Sequence, residues 1–317
     1  MSKLLLAELH RCIKSKLFWI NMLAALGIGI YSGKETVVRF DSYFVLITLI
    51  LNAAFFTLHI GTEFSSGGIR SKLTTGASRA ELFFSKLIVT SSVGLFCGAL
   101  FIMGFLVYQY STFRDFFYGQ PLYEPVLLVL AILLIYAANA VICCAVSFLV
   151  PYRTAVSVII ACLFIMGSEY ACHELNFILD MPENVNIWIT HDKNGESMGV
   201  DSLFIDPDSV GEYDLSKYPH YTQDEPDGSI TDVYDIPNER YISHDDIRYK
   251  ALTALYYIQP IGQLTELEDI SIMFSQPCFN AYTENYDIIH YFPLYSLTMI
   301  CLAAAIGYLA LYKRDLK

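Results

Sequence analysis

The chain has 317 residues, of which 55% are hydrophobic and only 16% are charged. Soluble proteins have about a quarter of their residues charged, so this composition excludes an ordinary soluble protein and indicates a membrane protein. The charges are unevenly distributed, with 32 Asp and Glu against 20 Lys and Arg.

The first sixteen residues have the pattern of an amphipathic helix. Its apolar face carries Leu5, Leu6, Leu9, Cys12 and Ile13, and basic residues are among those opposite. Such a pattern is typical of a helix that lies in the membrane interface. We therefore expect an elbow helix over 1–16 that turns at Lys16 into the first membrane span; a frayed polar terminus is the alternative.

Long windows without charged residues follow along the chain. A helix needs about 20 apolar residues to cross the hydrocarbon core. Five windows approach or exceed that length, and a sixth becomes long enough if Glu169 reaches the interface. The windows run from Leu17 to Gly33, Ser42 to Thr62, Leu87 to Phe113, Pro125 to Tyr152, Thr154 to Cys172 and Ile288 to Tyr312. The fold class predicted is thus an all-α polytopic membrane protein with six transmembrane helices, five over 17–172 and the sixth, with the tail, over 288–317.

The loop 63–86 is the most informative connection between spans. A short helix is expected to begin at Ser65 or Ser66 and to end at Gly76, and Ser78 with Glu81 forms a capping box that opens the next helix. The resulting helix, turn and helix could dock on an acidic groove of a soluble partner through its basic residues. The alternative is that these charges reflect membrane topology only. The basic residues are Arg70, Lys72 and Arg79.

Lys and Arg in the loops predict the orientation. Twelve of the 20 lie in the N-terminal stretch, the loop 63–86, the loop near 153 and the tail. By the positive-inside rule both termini face the cytoplasm, so we expect a multi-pass protein of the plasma membrane.

The segment 173–287 carries most of the acidic residues and is expected to form an extracytoplasmic domain. From Glu174 to Asp287 it holds 23 Asp and Glu but only five Lys and Arg. Strands or irregular structure are expected from Asp180 to Arg240, followed by a helix that a Ser243 and Asp246 capping box opens and Pro260 ends. The acidic surface could attract a cationic substrate such as a basic peptide, or could simply keep the domain soluble.

Polar residues within the spans have two interpretations. Asn21, Asn52, Asn139 and Glu169 are candidates for lining a substrate pathway, because amide and ionisable groups are costly at membrane depth. For the three asparagines, the alternative is hydrogen bonding between helices.

No enzymatic site is predicted. The glycine-containing run that ends at Lys34 lacks both the first Gly and the Ser or Thr of a phosphate-binding loop, and the seven histidines have no metal-ligand spacing. No nucleophile motif is present. Of the eight cysteines, Cys172 and Cys278 are the pair that a disulfide could join.

The order of these segments resembles the permease subunits of type-2 ATP-binding-cassette (ABC) exporters, particularly those for bacteriocins and drugs. The residues that carry the resemblance are the segment from Gly61 to Arg79 after span two and the terminal run from Tyr312 to Lys317. The stretch from Tyr257 to Gln263 is similar to the segment before the last span of that family. The acidic insertion is longer than the usual connection.

The resemblance implies a function and its parts. The loop after span two would carry the helix that couples the permease to a separate cytoplasmic ABC ATPase, which binds ATP and Mg²⁺. This chain would need no cofactor of its own and would pair with a second permease, either another copy or a paralogue, in the lipid bilayer. The substrate exported would be peptide-like, drug-like or lipid-like, and no nucleic acid is expected as a partner. The coupling residues implied are Glu63, Ile69, Arg70, Lys72, Leu73, Arg79 and Glu81.

A second hypothesis is a membrane-anchored sensor or immunity protein. Its extracytoplasmic domain would bind an extracellular peptide, and the loop 63–86 would pass a signal to a partner without transport. The two hypotheses differ in whether a substrate crosses the membrane.

Overall fold

The structure is a computed structural model that describes residues 2–35, 42–116, 123–150, 153–191, 197–202, 215–224, 230–238, 240–274 and 290–313. It is mostly helical, with a small antiparallel sheet. The helices in chain order are α1 (Ser2–Lys14), α2 (Lys16–Glu35), α3 (Ser42–Ser65), α4 (Gly68–Thr74), α5 (Arg79–Phe116), α6 (Tyr123–Leu149), α7 (Thr154–Leu179), α8 (Ile247–Ile258), α9 (Pro260–Phe274) and α10 (Phe292–Tyr312). The strands are β1 (Asn184–His191), β2 (Ser197–Ser202), β3 (His220–Asp224) and β4 (Ile230–Pro237).

In the described part of the chain, six helices are long and apolar enough to cross a membrane, as predicted. They are α2, α3, α6, α7, α10 and the part of α5 up to Ser111. With 38 residues, α5 is about 57 Å long at 1.5 Å per residue, which exceeds the hydrocarbon thickness of about 30 Å. The chain therefore has the helices of a multi-pass membrane protein.

The chain divides into two compact units. The first comprises residues 1–173 and 255–317, and the second comprises 174–254. The second unit ends before α9 and so covers less of the chain than the segment 173–287 that was expected to form a domain.

The turn between α1 and α2 occupies a single residue. The amide of Phe18 donates to the carbonyl of Ser15, and that of Ser15 donates to the carbonyl of Cys12. The indole of Trp19 donates to the carbonyl oxygen of Ile13 at 3.0 Å. These bonds satisfy backbone groups that the break between two helices would otherwise leave unpaired.

Glycines allow α2 and α5 to approach closely. A Cβ atom on Gly33 would lie 2.5 Å from the carbonyl oxygen of Phe105, and one on Gly104 would lie 2.5 Å from that of Leu26. Small residues at such positions let helix backbones meet in a membrane, where packing rather than hydrophobicity drives association. Gly94 has the same role between α5 and α6, because its Cβ would lie 2.8 Å from the carbonyl oxygen of Tyr136.

A compact apolar core lies at one end of the helix bundle and connects five helices. Its members come from α3, α4, α5, α6 and α10, so the end of α3, the start of α5 and the ends of α6 and α10 meet around α4. We call this end of the bundle the α4 end. The buried residues are Ile60, Phe64, Ile69, Leu82, Phe83, Cys144, Phe148 and Leu311.

The second unit contains a four-stranded antiparallel sheet with strand order β2-β1-β4-β3. Ile187 on β1 and Ile236 on β4 are buried, with Ile189 and Tyr234 packed beside them. Their alternation along the strands places them on one face of the sheet. Of the two structures expected for this segment, strands are therefore present in its described residues.

The helix after the sheet begins differently from its prediction but ends before Pro260, as predicted. Asp246 alone caps α8, because its carboxylate accepts the amide of Arg248 at 2.8 Å, whereas Ser243 contributes its backbone carbonyl. The Arg248 guanidinium beside it holds the pKa of the Asp246 carboxyl below its usual value. Pro260 ends α8 and is also the first residue of α9, a position that tolerates proline because its missing N–H has no helical partner there.

Candidate functional site

The helix α4 lies between two candidate spans and is defined by glycines. Gly67 has a φ of +75° and separates α4 from α3. Gly76 has a φ of +99°, and the amide of Ala77 donates to the carbonyl of Lys72, the bond that closes a Schellman motif. The predicted end is correct, but the predicted start at Ser65 or Ser66 is wrong, because α3 continues to Ser65.

The turn after α4 opens directly into α5. The amide of Glu81 donates to the hydroxyl of Ser78, and the amide of Ser78 donates to the carboxylate of Glu81, both at 3.1 Å. This reciprocal pair is the predicted capping box. It makes the connection from α4 to α5 a structured turn.

One side of α4 is anchored in the protein interior. Ile69 is 1% exposed in the apolar core at the α4 end, and Leu73, one turn later, packs against the same core. The other side carries Arg70, Ser71 and Thr74, whose side chains are exposed. The helix therefore presents a polar face while its apolar face follows the ends of the spans.

Five charged residues meet beneath α4, and we call them the α4 charge cluster: Glu8, Arg11, Glu63, Lys72 and Lys86. The carboxylate of Glu8 pairs with Lys72 through one oxygen and with Lys86 through the other. Glu63 pairs with the same two lysines. In addition, Arg11 donates to Glu63 Oε1 at 2.7 Å and to the carbonyl oxygen of His59 at 3.2 Å.

Three members of the cluster are almost completely buried. Glu8 is 1% exposed, and Glu63 and Lys86 are each 2% exposed. Burying single charges costs several kcal/mol each unless they are paired and hydrogen-bonded, so these contacts require a defined geometry. Because the five residues come from α1, α3, α4 and α5, the cluster ties α4 to three other helices at once.

The predicted coupling residues have different surroundings. Arg70 is exposed, whereas Lys72 points into the charge cluster. The guanidinium of Arg79 donates to the carbonyl oxygen of Tyr312 at 2.7 Å, which joins the turn after α4 to the end of α10. The basic positions of the loop thus divide into one on the surface and two that hold the loop in place.

The predicted pathway residues differ in their surroundings. The amide of Asn21 on α2 donates to Asn52 on α3 at 2.6 Å and to the thiol of Cys97 on α5 at 3.2 Å. Asn139 on α6 donates to the carbonyl oxygen of Leu49 at 3.1 Å. Each of these amides is buried and bonded between helices, whereas Glu169 is exposed on α7.

The predicted disulfide lies partly outside the described residues, because Cys278 is not among them. Cys172 is buried and is a free thiol in the described part of the chain. Its sulfur lies 3.5 Å from Oε1 of Gln259, which begins the turn into α9.

Sequence patterns indicated the loop but not its partners in the cluster. Glu8 and Lys86 were absent from the predicted site. A signal exists for Glu8, since it lies between Leu5 and Cys12 at helical spacing, on a stripe where an acid is unexpected. Lys86 is simply the last charge before an apolar window, and nothing local distinguishes it.

Among the described residues, no group of three or more His, Cys, Asp or Glu side chains is arranged to hold a metal ion. No protein-family model, curated protein or solved structure matches this chain.

Proposed function

We propose that this chain is the transmembrane permease subunit of an ATP-driven ABC exporter. The observation that carries the proposal is α4, a short helix between two candidate spans with an exposed polar face and a buried anchor in four other helices. A helix of this kind can transmit movement of a bound partner to the spans, because it is packed against their ends.

The distribution of charge supports a cytoplasmic position for the α4 end. Lys14, Arg70, Lys72 and Arg79 are near this end, and basic residues are retained on the cytoplasmic side of membrane proteins. In this orientation α1 is the elbow helix at the inner surface of the plasma membrane, and the acidic second unit is extracytoplasmic. Its fold gives the long connection between the fifth and sixth spans a compact form.

The partners follow from the same proposal. A separate cytoplasmic ATPase binds ATP and Mg²⁺ and docks on the exposed face of α4 around Arg70. A second permease, of the same or a related sequence, completes the pathway for a peptide-like, drug-like or lipid-like substrate. Alternation between inward-facing and outward-facing states would follow from closure of the ATPase pair.

Co-purification tests this proposal. The tagged protein is extracted in mild detergent from its native membrane, and bound proteins are identified by mass spectrometry. We expect a P-loop ATPase with the wild type and at least a tenfold loss of it with Arg70→Glu, since reversing an exposed charge at the docking face repels an acidic groove.

The matched control is Lys14→Glu, which reverses an exposed charge on α1 at the same end of the bundle. This variant should retain the ATPase. Absence of any ATPase from the wild-type preparation in several detergents would contradict the proposal and favour the sensor hypothesis. Equal loss in both variants would show that net charge, and not the α4 face, holds the partner.

A further inference from the structure

We propose that Glu8 is a positioning residue that makes α1 part of the support of α4. The carboxylate of Glu8 joins α1 to α4 through Lys72 and to α5 through Lys86. The significance of this support for ATP-driven transport rests on the proposed function, but the contact itself does not.

The burial pattern of α1 is the first argument. Leu6, Leu9 and Ile13 are 72%, 40% and 40% exposed, whereas Glu8 and Cys12 are 1% and 2% exposed. A helix that served only as a lipid anchor would keep its carboxylate in water and its leucines in the bilayer. Here the acid is on the buried stripe, so α1 has one face for the membrane surface and another for the protein.

The charge balance of the cluster is the second argument. Two carboxylates, Glu8 and Glu63, face three cations. Without Glu8, a single carboxylate would remain for Arg11, Lys72 and Lys86. Lys86 is buried in the interior, whereas the side chain of Lys72 is 25% exposed and has a route to solvent. We therefore expect repulsion to move Lys72, and α4 with it, away from the bundle.

A second feature makes the contact measurable. Cys12 lies one helical turn after Glu8 and is buried against the bundle. Burial raises the pKa of the Cys12 thiol to about 11, which lowers the fraction of reactive thiolate. Alkylation of Cys12 by N-ethylmaleimide should be slow as long as α1 is docked.

The experiment compares Glu8→Gln with Lys14→Gln in a protein that retains Cys12 as its single cysteine. Both variants remove one charge from α1, but Lys14 is exposed and outside the cluster. Alkylation is measured in native membranes, so that the comparison does not depend on survival in detergent. In parallel, hydrogen exchange of the α4 amides is measured by mass spectrometry.

We expect Glu8→Gln to accelerate both Cys12 alkylation and α4 exchange by about tenfold or more, because local opening exposes both groups. Lys14→Gln should leave both rates within about twofold of wild type, and Glu8→Asp should give intermediate rates, since a shorter carboxylate keeps the charge but not both contacts. Wild-type rates in Glu8→Gln would overturn the proposal, as would equal acceleration in Lys14→Gln.

A change in Cys12 alkylation without a change in α4 exchange would also test the proposal. If Cys12 becomes reactive while α4 exchange is unchanged, α1 docks through Glu8 but does not support α4, and the proposal is wrong. Neither rate involves an ATPase. A positive result together with a failed co-purification would therefore retain the positioning role of Glu8 and reject the exporter function.

Discussion

The buried asparagine side chains of the candidate spans form hydrogen bonds between helices. The pair formed by Asn21 and Asn52 is an example, with a distance of 2.6 Å between Nδ2 and Oδ1. Both amides are buried, at 7% and 1% exposure. In a membrane such a bond contributes only about 0.6 to 2 kcal/mol, because the unfolded state in the membrane also finds hydrogen-bond partners.

Substitutions in this pair can show whether Asn52 stabilises the helix packing or lines a substrate pathway. We expect Asn52→Leu to lower the free energy of unfolding by about 1 kcal/mol. The double variant Asn21→Leu/Asn52→Leu should cost less than the sum of the two single variants, because the two side chains share one bond, although Asn21 also loses its bond to Cys97. Thermal unfolding of the four proteins of this double-mutant cycle provides the measurement.

Transport assays on the same variants distinguish the two roles. If Asn52 acts only by joining α2 to α3, transport per folded molecule should be nearly unchanged. A large loss of transport at wild-type stability would instead make Asn52 a pathway residue.

At the scale of the element, α4 depends on backbone conformation as much as on its side chains. Gly76 ends it with a φ of +99°, where an L side chain costs about 1 to 2 kcal/mol. The Schellman bond from Ala77 to Lys72 requires that conformation. The turn therefore fixes the C-terminal end of the seven-residue helix α4, and the charge cluster holds its side through Lys72.

Two glycine substitutions should have opposite effects. Gly76→Ala should destabilise the protein by about 1 kcal/mol or more and accelerate hydrogen exchange in α4. Gly167→Ala, in the middle of α7, should stabilise it by up to about 1 kcal/mol, because no atom lies within 4 Å of the added Cβ and alanine favours a helix.

The measurement is thermal unfolding of both variants beside the wild type. A neutral or stabilising Gly76→Ala would mean that the turn after α4 adopts another conformation. In that case α4 would not be held from its end.

At the scale of the whole molecule, charge and hydropathy divide the chain into a helical unit and a smaller sheet-containing unit. The segment from Glu174 to Asp287 has 23 acidic and five basic residues, which leaves the remainder with a net positive charge. By the positive-inside rule, the Lys and Arg in the loops of the helical unit predict that the α4 end faces the cytoplasm.

Labelling of single cysteines in a cysteine-free protein tests that orientation. With a membrane-impermeant maleimide on intact cells, Gln223→Cys on β3 should react, because its position is exposed and extracytoplasmic in our proposal. Ser71→Cys on α4 should react only after permeabilisation. Reaction of Ser71→Cys on intact cells would reverse the orientation and remove the proposed ATPase from the α4 face.

Hydropathy and turn chemistry were sufficient to predict much of this protein. Six spans follow from the length of charge-free windows, since each helix must satisfy its own backbone and match the bilayer. The capping box of Ser78 and Glu81 and the end of α4 at Gly76 were also predictable, because these signals involve residues within a few positions of each other.

The contacts between distant residues were decided by the tertiary structure alone. Glu8 lies 64 positions from Lys72 and 78 from Lys86 in the chain. No local pattern specifies which buried cation meets which carboxylate, because that depends on how α1, α3, α4 and α5 pack. The same reason explains why Arg70, Lys72 and Arg79 were indistinguishable as sequence. In the structure Arg70 is exposed, Lys72 pairs with two buried carboxylates, and Arg79 bonds to the end of α10.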